Sequence, residues 1–153
     1  MNLQGEEANN ELVSQLREGL SRFFPRIPPG GAAPGATWSD SLNTDSPAGE
    51  GVNIHLTLRT QYEALDWGEF HGAQALHVRT NTEYTISGGG SSMGAEFTLD
   101  GTGNRHGEVY LGANGVFLGA VSADTSESTA IVTAAGMSIP ITQIRADTIQ
   151  VIR

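Results

Sequence analysis

The chain has no cysteine, and all eight of its basic side chains are arginines: Arg17, Arg22, Arg26, Arg59, Arg79, Arg105, Arg145 and Arg153. The missing thiols exclude structural disulfides, thiolate metal sites and cysteine nucleophiles, and they suit a reducing or an oxidising compartment alike. The scattered arginines face 17 acidic residues, for a net charge of -9. No basic stripe exists to replace phosphate counterions, which argues against nucleic-acid binding, and an anionic membrane surface would repel the chain. Long apolar runs are also lacking, and none approaches the roughly 20 residues a transmembrane helix needs. Glu6, Glu7 and Glu11 stand where a signal peptide would carry a basic region and an apolar run. The expectation is therefore a cytoplasmic protein, or one whose leader has been removed.

At 153 residues the chain suits one domain that can bury roughly 68–70% of its unfolded surface without staples. Residues 6 to 24 read as an amphipathic helix. Leu12, Val13, Leu16, Leu20, Phe23 and Phe24 share one face, Glu11, Arg17, Glu18 and Arg22 the other, and Pro25 stops the run. Residues 25–51 read as a Pro/Gly-rich connector followed by a polar loop from Ser39 to Gly51, with Trp38 as an anchor between them.

From Val52 onward the pattern has period two. Val52, Ile54, Leu56, Leu58 and Tyr62 alternate with Asn53, His55, Thr57, Arg59, Gln61 and Glu63. Leu76, Val78, Thr80, Thr82, Tyr84 and Ile86 repeat the alternation, and a hairpin across Asp66 to Gly72 is expected to pair the two runs. Further strands are expected at Met93 to Leu99, Gly107 to Leu111, Val116 to Ala123 (buried on both faces), Ser128 to Ala134, Ile139 to Ile144 and Thr148 to Ile152. Turns are expected at Gly88 to Gly90, Gly101 to Gly107 and Asn114-Gly115. Pro140 cannot donate to a ladder and marks its strand as an edge or a bulge. The fold class predicted is mainly β: a curved antiparallel sheet or open half-barrel of six to eight strands, with the N-terminal helix packed on it.

Local motifs carry little chemistry. Gly90-Ser91-Ser92-Met93-Gly94 matches G-x-S-x-G, but a strand follows Ser92 where a nucleophile elbow needs a helix. The glycine-rich run Gly101 to Gly107 has neither a following helix nor a Lys-Ser/Thr pair to hold phosphate. Asp100, Thr102 and Asn104 open like a calcium loop, yet Arg105 and Leu111 occupy the positions that need Gly and Glu. Of the four histidines, His55 and His77 are expected to lie apart, whereas His71 sits near Asp66 and Glu69. No cofactor or metal is called for. Trp67, Phe70 and His71 are the candidate partner-contact loop. The candidate apolar ligand face comprises Leu56, Leu58, Tyr62, Val78, Met93, Phe97 and Leu99.

The segment Arg22 to Asp40, with its Pro34-Gly35-Ala36-Thr37-Trp38 run, and the later stretches Gly112 to Gly119 and Ser138 to Ile141 resemble uncharacterised bacterial exported proteins. In these a P-G-x-x-W opening strand leads into a long antiparallel sheet. The resemblance implies a lipoprotein-carrier type of fold, a half-open β-barrel clasping a helix, in periplasmic or cell-surface proteins that bind acyl chains. It carries over no catalytic residue, and it suggests the C-terminal part of a longer exported protein. The expected function is a non-enzymatic, periplasmic or extracellular β domain that binds a lipid-like ligand or a protein partner through its sheet. The alternative is a structural or assembly subunit that associates, with itself or a neighbour, through strand edges such as Thr148 to Ile152.

Overall fold

The computed structural model describes residues 25–47, 51–92 and 94–151. The expected helix at 6–24 lies outside them. The described chain is a single six-stranded antiparallel sheet whose spatial order is its sequence order. The strands are β1 (Thr37–Pro47), β2 (Val52–Phe70), β3 (Ala73–Ser92), β4 (Ala95–Gly112), β5 (Phe117–Val132) and β6 (Met137–Gln150). A 3-10 turn, Thr133–Ala135, joins the last two. The sheet is open, with β1 and β6 as its edges.

The strands are longer and fewer than the polar and glycine-rich stretches suggested. Much of the expected polar loop Ser39 to Gly51 is strand: Thr37–Pro47 pairs with β2 along its whole length, Leu42 opposite Leu58. The supposed loop Asp66 to Gly72 shrinks to His71-Gly72, where φ of 48° and 78° make a two-residue turn between Phe70 and Ala73. Gly88 to Gly90 lie inside β3, and the chain reverses between Ser92 and Ala95. Gly101 to Gly107 lie inside β4, so the strands expected on either side are one element. Likewise β5 and β6 each absorb two predicted strands. The physical reason is common to all. In a long ladder a paired strand satisfies the backbone groups directed at it whatever the side chains, and this outweighs weak local preference. Val116 and Val121 are exposed at 45% and 37%, so this stretch is not buried on both faces as expected.

Other expectations match the structure. The β2–β3 hairpin pairs Leu56 with Ile86 and Leu58 with Tyr84. Asn114 and Gly115, the latter at φ 76°, form the β4–β5 turn. Pro140 lies on an edge strand.

Period-two alternation assigns each strand a polar and an apolar face. The buried core sits at one end of the apolar face, where Ala64, Leu76, Val78, Val109 and Leu111 pack together. The connector crosses this end: Ile27, Ala32 and Ala36 lie against the core, and Trp38 stacks on Tyr62 at 5.1 Å while its Nε1 donates to the Arg26 carbonyl at 2.8 Å.

A candidate ligand face divided by a polar belt

The register lines up one polar row across the apolar face. Asp40 opposes Thr60, Thr60 opposes Thr82, Thr82 opposes Arg105, Arg105 opposes Asp124, and Asp124 opposes Arg145. Every strand contributes one residue. Burial of a carboxylate here demands partners. Asp124, 5% exposed, accepts from the Tyr84 hydroxyl through Oδ1 and from Arg105 Nε at 3.0 Å through Oδ2. Thr60 and Thr82 share a hydroxyl hydrogen bond of 2.9 Å. Burial, reinforced by the hydrogen bond to Asp124, raises the Tyr84 pKa above the ordinary tyrosine value.

The belt separates two apolar compartments. The near one is the packed core, closed by the connector. In the far one Leu56, Leu58 and Ile86 share the face with Phe97, Leu99 and Val132, all half-buried, and with Met137, Ile139 and Ile141, which are exposed. Glycines floor this compartment. A Cβ at Gly88 would stand 2.4 Å from the Asn53 carbonyl oxygen, and one at Gly103 would enter the Tyr84 ring. Neighbouring strands and the ring thus approach closely because side chains are missing.

The structure divides the predicted ligand face along this line. Leu56, Leu58, Phe97 and Leu99 lie in the far compartment, Tyr62 and Val78 in the core end, and Met93 falls outside the described residues. Ile86, Val132, Ile139 and Ile141 extend the far compartment. Their period-two placement was visible in the sequence, but the face they share depended on register.

The predicted contact loop does not stand free. Phe70 folds onto its own sheet, stacked on Tyr110 at 4.0 Å and edge-on to His71. Trp67, 40% exposed, follows a bulge between Ala64 and Trp67. Asp66 approaches His77 at 3.6 Å, not His71, and His55 bonds Asp45 at 2.7 Å far along the sheet. Asp100, Thr102 and Asn104 alternate along an extended strand, where no loop can wrap a calcium ion. Among the described residues no three metal-ligating side chains converge. No helix there is long and apolar enough to cross a membrane.

On the polar face an open groove of about 710 Å³ is lined by Arg79, Asn81, His106 and Glu108, with Val121 and Ala146. Two of its charges are engaged: Arg79 donates to Glu63 at 2.9 Å, and Tyr110 donates to Glu108 at 2.8 Å. At the belt, a cavity of about 50 Å³ is bounded by Pro25, Thr60, Tyr62, Thr82 and Arg105. Pro25 is where residues 1–24 join the described chain. Comparison with known proteins finds no matching family model, no similar curated protein and no similar solved structure.

Proposed function

We propose that this chain is a non-enzymatic β domain of the periplasm or cell exterior that binds an apolar chain, such as the acyl group of a lipid, in the far compartment. The observation that carries the reading is the polar belt. It confines the packed core to one end and leaves a second apolar field, floored by glycine, uncovered by any other described element. The chain of the ligand would lie along the sheet, and the belt would meet its polar end. Burying about 300 Å² of acyl surface would contribute roughly 7 kcal/mol before ordering costs.

The test is displacement of a fluorescent fatty acid from the full chain. Phe97→Asp is expected to weaken binding at least tenfold, since it places a charge in the compartment. Thr98→Asp, on the polar face of the same strand, is expected to leave binding unchanged. Absence of binding by the unaltered chain, or equal binding by the Phe97 variant, overturns the reading.

A further inference from the structure

The β6 edge carries a pattern that the ligand reading does not use. The Val151 amide donates to the Leu118 carbonyl across the β5–β6 ladder, in which Gln150 opposes Gly119 without a register shift. Backbone groups alternate in direction along a strand. Odd-numbered residues of β6 therefore bond β5, and Thr142, Ile144, Ala146, Thr148 and Gln150 direct their amides and carbonyls outward. Pro140 falls in the outward set and has no amide to offer, so it closes that end of the edge. Ile144 is 78% exposed.

We infer that β6 is a self-association edge: two copies of the chain pair β6 antiparallel about a two-fold axis at Ala146, joining two sheets into one. About this axis Ala146 faces itself, Ile144 faces Thr148, and Thr142 faces Gln150. All of these are outward-bonding positions, and Pro140 stays beyond the ladder. The same register sets Arg145 of each copy opposite Asp147 of the other, so both charged positions meet an opposite charge. Within one chain these two are poorly engaged with each other. Arg145 Nη2 is 3.5 Å from Asp147 Oδ1, and Asp147 Oδ2 is buried without a hydrogen-bond partner. A two-fold axis through Ile144 would instead bring Pro140 into the ladder opposite Thr148 and put Asp147 against Ile141, losing backbone bonds and leaving the charge unmatched. The occupant of the edge is thus a second copy in an isologous contact.

Sedimentation velocity of the full chain, without detergent and across micromolar concentrations, tests the inference. A concentration-dependent species of twice 16.1 kDa is expected. Ala146→Glu and Ala146→Arg are each expected to be monomeric, because like charges would face one another across about 5.5 Å. Their mixture is expected to restore the dimer, which a merely misfolded variant could not do. Ser138→Glu, outside the paired stretch, is expected to remain dimeric. Three results overturn the inference: a monomer at every concentration, a series of species beyond the dimer as head-to-tail pairing of β6 with β1 would produce, or no rescue on mixing.

Discussion

At the scale of single residues, Asp124 shows how a β-sheet tolerates a charge on its apolar face. The carboxylate is buried, but both oxygens accept, one from Tyr84 and one from Arg105. Removing such an acceptor costs more than its net contribution, because desolvated donors lose a partner. Asp124→Ala is expected to lower stability by about 3 kcal/mol, and Tyr84→Phe, which deletes one hydroxyl, by about 1 kcal/mol. Urea midpoints at unchanged slope would check both values, and equal losses would mean that Arg105 contributes nothing to the cluster. In the sequence Asp124 and Arg105 carry no mark of a pairing, and Tyr84 reads as one of the alternating inward residues of its strand. Their meeting depends on pairings across 19 and 40 residues of chain, which a periodicity within one strand does not encode.

At the scale of elements, β1 is the most instructive. Its stretch Ser39 to Pro47 reads as polar loop, yet it forms an edge strand because β2 presents a full ladder to it. Its fixed point is Trp38, stacked on Tyr62 and bonded to the connector. Trp38→Ala is expected to destabilise the protein by about 3 kcal/mol. The loss should be local first. Amide exchange should accelerate along Thr37–Pro47 while β3 and β4, paired on both sides, stay protected. Uniform acceleration would show that β1 and the central strands open as one unit.

At the scale of the molecule, the three tyrosines link fold to pH. Tyr62, Tyr84 and Tyr110 are all raised above the ordinary value, each chiefly by burial, with Asp40, Asp124 and Glu108 adding to it in turn. The folded state therefore keeps protons that the unfolded chain releases above about pH 10. The stability tied to these groups is complete below that pH and falls as pH rises from there through the raised folded-state values. Urea midpoints should hold steady from about pH 8 to about pH 10 and then drop, with tyrosinate absorbance lagging until unfolding. A drop beginning well below about pH 10 would point to other groups.

The amino-acid sequence by itself determined that this chain is mainly β, which residues of β2 and β3 share a face, and where Asn114-Gly115 would turn. It also marked Pro140 as belonging to an edge or a bulge. These properties follow from side-chain alternation and local backbone chemistry, which operate over a few residues. Tertiary structure alone decided that six long strands replace several short ones, because ladder hydrogen bonding to neighbouring strands overrides glycine and polar residues that would turn a free chain. It alone decided the register as well. Register converts six scattered polar side chains, Asp40 to Arg145, into a belt and divides one apolar face into a filled core and an open compartment.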